Sequence, residues 1–324
     1  MAAPKKISVI LAFAALYLIW GSTYLGILFA IQSIPPFLMA GVRYFLAGAI
    51  LYAIAWVQGA RGTAWVNWKS ALAVGACLIL VGNGGVTISE KFIPSGLASL
   101  IVATVPIHMV LLGWISGMSP RPQPIVWLGL IAGFCGVAVL LGSASTTRVT
   151  ALQSANRPFI GMSILLCSSF IWSVGSLYSR RATHRSASPF LAAAQQMLCG
   201  GVLLFVLGVL TGELREFHPG AVRTVSVIAF IYLVLIGAVV GFTAYIWLLH
   251  HCDPAKVATY AYVNPIVAVL LGAIFAGETL TLRTLVGAVL IIGSVALVIT
   301  VQQLRPAEKA QSLADVAPQT DCPR

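Results

Sequence analysis

Few residues in this chain can do chemistry, and most of those lie inside long apolar runs. Arg43 stands seven residues past Pro36 within such a run. An Arg at the centre of a bilayer costs about 2.5–3.5 kcal/mol on insertion scales. It therefore either faces an internal cavity, where its guanidinium could pair with a carboxylate, or snorkels to the near interface along its stem. Asn264 precedes Pro265, with Tyr260 one turn earlier, which sets an amide and a phenol on one helical face. Thr104 and His108 are likewise one turn apart. A free histidine titrates near neutrality, which makes His108 a candidate for proton coupling, or it is simply a hydrogen-bonded membrane histidine. Trp20 and Trp172 offer aromatic faces for a bound solute or for helix packing. Ser22, Thr23 and Tyr24 bring hydroxyls beside the first tryptophan, and Ser173, Ser176 and Tyr178 beside the second. Such groups also join neighbouring helices in lipid. Asn83 sits in Gly82-Asn83-Gly84-Gly85, which follows no strand and lacks the lysine of a phosphate loop. Those glycines would admit a close neighbour.

The same inventory excludes other chemistry. Glu90 and Glu278 end apolar runs, and no carboxylate falls in the middle of one. Tight carboxylate-based coupling to protons or sodium is accordingly disfavoured. No nucleophile–base pair, acidic pair or metal set appears, which argues against an enzyme. His250-His251-Cys252-Asp253 has the composition of a metal cluster, but successive helical residues point in different directions, so no metal or other cofactor is expected. The six cysteines show neither zinc-finger nor redox spacing.

Charged residues are 8% of the 324, and hydrophobic types are 59%. An ordinary soluble domain carries about 25% charge. This composition excludes soluble enzymes, disordered chains and disulfide scaffolds, and leaves an all-α integral membrane protein. Crossing the hydrocarbon takes about 20 apolar residues. Ten segments qualify: 7–30, 36–57, 71–89, 96–117, 125–142, 159–178, 190–210, 225–249, 255–276 and 282–301. Pro, Gly, Ser or charge separates them, and residues 302–324 read as a frayed polar tail. Lys5 and Lys6 resemble the start of a signal peptide, but the run from Ile7 to Ala30 is too long for one and is read as a retained first span. With alternate connections on alternate sides, the Lys and Arg residues divide 12 against 6, with Arg43 inside a span. The net charge of +11 thus orients the chain in a membrane and does not point to nucleic acid. Both termini are predicted cytoplasmic.

The two halves resemble each other. Leu18-Ile19-Trp20 is echoed by Phe170-Ile171-Trp172, a shift of 152, and Pro36-Phe37-Leu38 by Pro189-Phe190-Leu191, a shift of 153. Gly82 matches Gly241 and Pro106 matches Pro265, both at 159. Val110-Leu111-Leu112-Gly113 recurs as Val269-Leu270-Leu271-Gly272, and Gly129 as Gly287. Gln196, beside Gln195, is the repeat mate of Arg43. A unit of five crossings is odd, so its copy enters the bilayer from the opposite face. Inverted repeats of this kind mark secondary transporters with a midplane site. The expected architecture is ten transmembrane helices as two inverted five-helix repeats, over 7–142 and 159–301. Pro106 and Pro265 each remove a backbone N–H and free a carbonyl, of Val102 and Ala261, which suits a hinge or a cavity wall. Gly129 and Gly133 form a GxxxG suited to packing or to a dimer contact.

Trp20-Gly21-Ser22-Thr23-Tyr24, Val105-Pro106 and Tyr260-Ala261-Tyr262-Val263-Asn264-Pro265 resemble the motifs of the EamA family, in the drug/metabolite transporter superfamily. The resemblance spans about residues 8–301. It implies two EamA units in the inner (plasma) membrane that export small metabolites, often amino acids or amphipathic toxic compounds. It also implies a cavity lined by segments 1–4 and 6–9, with segments 5 and 10 at the periphery. The expected partners are a small-molecule substrate and the lipid bilayer, and the expected state is a monomer or weak homo-oligomer. Candidate binding residues are Trp20, Ser22, Tyr24, Arg43, Asn83, Thr104, His108, Trp172, Gln196, Tyr260 and Asn264. A membrane-embedded enzyme and a channel-like pore are the alternative readings.

Overall fold

Lipid offers no water to backbone N–H and C=O groups, so a crossing segment must satisfy them within itself. The computed structural model meets this demand with helices. It describes residues 6–60, 65–143, 157–182, 188–252 and 254–316, and these contain no strand. Asp253, tail residues 317–324, and Lys5, Arg61, Arg148, Arg185 and Arg324 of the charge count lie outside the described residues. Eight helical runs are long and apolar enough to cross a membrane. Two shorter apolar helices, Pro124–Leu140 and Tyr260–Phe275, fall where the fifth and ninth segments were expected.

Segments 1, 2 and 7 are single helices, Lys6–Ala30, Pro36–Val57 and Pro189–Leu210. Segment 6 is Arg157–Ala182. Segments 3 and 8 each carry an eight-residue π-helical stretch, Ala76–Asn83 and Leu233–Val240. Such wide turns are rare and favour functional sites. Segment 4 is two helices, Ser95–Val102 and Val105–Ile115. The helix of segment 10 runs from Leu282 to Val316, so the tail expected to fray is helical that far. Its Ala, Gln, Glu, Lys and Leu residues are good helix formers, which outweighs the loss of hydrophobicity after Val301.

Proline and glycine set the boundaries. Pro36 and Pro189 occupy first helical positions, where a missing N–H costs nothing. Gly59, Gly117, Gly212 and Gly277 follow segments 2, 4, 7 and 9 with φ of 83°, 68°, 84° and 64°. Only glycine takes this left-handed conformation without strain.

The 1–2, 3–4, 7–8 and 9–10 connections meet at one end of the molecule, held by two carboxylates. Glu213 accepts from the backbone N–H groups of Phe37 and Leu38 at 2.9 and 3.0 Å. Burial pushes its carboxyl up, while the bond from Leu38, the charge of Lys91 and the bond from Phe37 pull it down. Glu278 accepts from the N–H and hydroxyl of Ser95 at 2.6 and 2.7 Å, and from the N–H of Gly96 at 2.9 Å. Both carboxylates therefore sit at the positive end of a helix on the other half of the chain, as the helix dipole favours. Gly272 makes room, because a Cβ there would lie 2.4 Å from Glu278 Oε2. The Arg223 N–H donates to Ser33 Oγ at 3.0 Å at the same end.

Lipid tails are as apolar as the helices, so association relies on close packing of small residues. Segments 2 and 7 show this most clearly. A Cβ on Gly41 would lie 2.6 Å from the backbone N of Phe205, and one on Gly201 2.6 Å from that of Phe45. Segments 5 and 10 pack through Gly129, Gly136 and Gly287, with Ser294 Oγ donating to the Gly129 carbonyl at 2.5 Å. The GxxxG of Gly129 and Gly133 is thus spent on internal packing against Val298, Ser294 and Ile107. The main apolar core gathers around Leu100, Ile107, Leu130, Leu165 and Leu233. Ile10, Leu128, Ile228 and Val289 point outward, each more than half exposed, as a lipid-facing surface requires.

Two predictions follow from these contacts. Gly201→Leu should cost about 1–3 kcal/mol, as overpacking does, and lower the melting temperature of the detergent-solubilised protein; Gly220→Leu, in open space, should leave it unchanged. Charge-assisted bonds are worth about 1.5–3 kcal/mol. Glu278→Ala should therefore speed amide hydrogen exchange at Ser95 and Gly96 by about ten-fold or more, and leave Phe37 and Leu38 protected. Glu213→Ala should give the reverse pattern, and uniform acceleration in either variant would contradict two independent clasps.

Candidate functional site

The structure sorts the candidate residues into groups. The tightest forms around Trp20, whose half-buried ring meets Tyr260 edge-on at 5.0 Å, Tyr245 at 5.2 Å and Phe242 at 5.5 Å. Trp20 reaches them because Gly241 lacks a side chain; a Cβ there would lie 2.5 Å from Trp20 Nε1. Asn264 is buried beside Tyr260, and with its side-chain amide turned over its nitrogen donates to the carbonyls of Tyr260 and Tyr17, both at 3.3 Å. Tyr17 and Thr259 join their hydroxyls beside it. Segments 1, 8 and 9 thus converge on an aromatic cluster with a buried amide beside it.

Arg43 and Tyr44 form a second group with Asn83. Arg43 is buried, 4% exposed, with its guanidinium 4.8 Å from the centre of the Tyr44 ring. One guanidinium nitrogen approaches Gly237 in the π stretch of segment 8, where Thr23 also packs. Arg43 Nε and Nη1 have no hydrogen-bond partner. Of the two sequence expectations, snorkelling would leave the guanidinium in water, and it is not. Tyr44 donates to Asn83 Oδ1 at 2.5 Å, and Asn83 Nδ2 donates to the Leu78 carbonyl at 3.1 Å. The Asn83 amide is therefore committed inside the protein.

Other candidates make local contacts. Ser22 donates to the Ile19 carbonyl at 2.9 Å and shares a 2.5 Å bond with Tyr232. Thr104 donates to the Ile101 carbonyl at 2.6 Å. Tyr24 is half-buried against the main core, near Glu90 and Tyr44. Trp172 covers Gly82, where a Cβ would lie 2.5 Å from its ring. Gln196 lies at the seam with segment 3, its carbonyl 2.6 Å from where a Gly75 Cβ would be. His108 is buried between Phe134 and Phe170, at 6.2 and 6.0 Å, on the side where both phenylalanines are exposed. The contacts described for His108, Trp172 and Gln196 are with Phe134 and Phe170, with Gly82, and with Gly75.

The prolines differ in setting. Segment 4 breaks at Ala103–Thr104, just before Pro106. Segment 9 breaks at Ala258–Thr259, and Pro265 continues inside the helix Tyr260–Phe275. The two breaks are not at equivalent depths. Of the His/Cys run, His251 stacks on Trp247 at 4.4 Å.

Sequence reasoning passed over Tyr44, Tyr245 and Phe242, placed Glu90 at the end of an apolar run as no coupling group, and gave Glu213 and Glu278 no structural role. The signal for the last two was the recurrence of Gly-Glu after segments 7 and 9, Gly212-Glu213 and Gly277-Glu278.

Comparison with known proteins agrees with this architecture. The model of the EamA-like transporter family matches residues 7–142 and 159–300. The chain is 35% identical over 298 residues to the uncharacterized inner membrane transporter YedA of Escherichia coli K12, covering 92% of each. It is 29% identical to the uncharacterized transporter YvbV of Bacillus subtilis, covering 92% of this chain and 93% of that protein. It is also 25% identical to a probable amino-acid metabolite efflux pump of Salmonella typhimurium, over 84% and 88%. A crystal structure with 20% identity aligns over 91% of this chain and 98% of its own, with a TM-score of 0.60. The chain belongs to the EamA-like transporter family and is a membrane transporter.

Proposed function

We propose that the protein is a secondary-active or facilitative exporter of small organic metabolites, amino acids or amphipathic compounds, in the inner membrane. It works by alternating access between two inverted five-helix halves, 7–142 and 159–301, with both termini cytoplasmic. The observation that carries this reading is a set of contacts that survive exchange of the halves. Gly48 meets Ala194 and Leu198, while Gly201 meets Gly41 and Phe45, and a shift of 153 converts one set into the other. Gly129 pairs with Ser294, and Gly136 with Gly287, at a shift of 158. Trp20 of the first half covers Gly241 of the second, and Trp172 of the second covers Gly82 of the first. Gly21 abuts the Asn264 carbonyl, while Ser173 donates to the Val105 carbonyl at 3.2 Å. Two halves that use the same contacts can trade conformations at little cost, which is what alternating access needs.

The Lys and Arg asymmetry supports a reading with the clasped end on the extracytoplasmic side. At the repeat shifts of 153 and 159, the second half has Glu213 and Glu278 where the first half has Ala60 and Ser119. The contrast favours a state closed to the outside. Solute would enter from the cytoplasm toward the Trp20 cluster, with Arg43 receiving an anionic group. The name of the Salmonella relative supports amino-acid metabolites as cargo.

The test is counterflow. Proteoliposomes preloaded with mixed L-amino acids should take up trace labelled amino acids faster than empty ones. Arg43→Ala should slow uptake about ten-fold, equivalent to about 1.4 kcal/mol, and Arg43→Lys should retain part of it. Full uptake by folded Arg43→Ala would remove Arg43 from the site, and single-channel current without counterflow would make the protein a pore.

A further inference from the structure

Glu90 stands apart from the two clasping carboxylates. It is the first residue beyond segment 3, and it is only 4% exposed. Glu213 and Glu278 each accept backbone N–H groups, but neither oxygen of Glu90 meets a donor. The Ser89 hydroxyl before it is also buried and unpartnered. Three other elements bring ionisable groups to bear on it. Segment 2 brings Arg43, the 9–10 connection brings Glu278, and segment 1 brings Tyr24. Segment 6 presents Gly161 and Ser168 to this part of the chain. Arg43, with two orphaned guanidinium nitrogens, is close enough to act on Glu90 through space but is not hydrogen-bonded to it.

A carboxylate ionised in this setting would be paid for nowhere. Withdrawing such a group from water costs several kcal/mol, which only donors or a close counter-ion recover. The ordinary escape is to take up a proton. Burial and then the Glu278 carboxylate hold Glu90 well above the usual carboxylate range, with Arg43 acting in the opposite sense.

We propose that Glu90, buried with both carboxyl oxygens unpartnered, is a proton-binding site in this transporter that works together with Arg43. With this end clasped, the carboxyl carries its proton and is neutral, which leaves the Arg43 charge free for an anionic group. On opening, the O–H bond breaks, the proton passes to water at that end, and the carboxylate left behind competes for Arg43. A proton on Glu90 and an anion on Arg43 therefore favour each other's binding. The link to transport rests on the carrier reading; the protonation does not.

The experiment is infrared difference spectroscopy of the protein in lipid across a pH titration, with protons the only ligand. A protonated-carboxyl band should persist at neutral pH and disappear as the pH rises. Glu90→Gln should abolish it. Arg43→Gln should move its midpoint up by about one pH unit, since a nearby opposite charge lowers a carboxyl by about that much or more. Arg43→Lys should leave the midpoint near the wild-type value, and Glu278→Gln should lower it. No band at neutral pH, a band that survives Glu90→Gln, or a midpoint indifferent to both Arg43→Gln and Glu278→Gln would overturn the proposal. The opposite shifts in the last two variants decide the matter even if Glu90→Gln does not fold.

Discussion

The structure depends on how closely two helices can approach when neither gains by leaving lipid. Burial of apolar surface, the main driving force in water, is nearly absent between helices in a bilayer. Dispersion, a few polar bonds and the fit of backbones must take its place. The seam of segments 2 and 7 meets this constraint with Gly41, Gly48, Gly201 and Gly208, each of which would clash with the opposing helix if it bore a side chain. Because the approach is through backbone, it is stiff and specific, and it fixes the depth of Arg43 and Tyr44 on segment 2. The same economy places Trp20 on Gly241 and Trp172 on Gly82.

Polar chemistry is sparse, and its charged members sit at the ends and in the interior. The chain has 8 acidic residues. Glu213 and Glu278 neutralise helix starts across the two halves, a task for which a carboxylate is well suited because the N–H groups there have no helical partner. Glu90 and Arg43 are buried without hydrogen-bond partners for most of their polar atoms, which no purely structural role explains. A transporter has to keep groups unsatisfied in one state so that a solute or proton can satisfy them in another. Stability given up at Arg43 and Glu90 is recovered at the glycine seams and the carboxylate clasps.

Much of the fold could be read from the sequence because lipid makes the rules simple. Long apolar runs must be helices, and Pro36 and Pro189 must start them. The segment bounds expected for 36–57 and 190–210 fall within a residue of the helices Pro36–Val57 and Pro189–Leu210. The candidate site was less legible. Trp20, Tyr260 and Asn264 do come together, because a spacing of four sets Tyr260 and Asn264 on one face and Gly241 lets the tryptophan in. His108 faces the seam between Phe134 and Phe170, a direction that a sequence cannot give for a lone residue. Glu90 was read as a group at the end of an apolar run, and its burial does not follow from that position. The π stretches in segments 3 and 8 leave no mark in composition or period.

The central claim is that the two halves exchange roles, so that one end of the molecule opens as the other closes. Pulsed electron resonance distances between spin labels test it directly. One pair, Lys91→Cys with His218→Cys, reports the clasped end; the other, Gln58→Cys with Lys256→Cys, reports the opposite end. The account predicts two populations whose distances change in opposite senses when Glu213→Ala and Glu278→Ala release the clasps, the first pair lengthening as the second shortens. Distances that lengthen together, or a second pair that never moves, would contradict it.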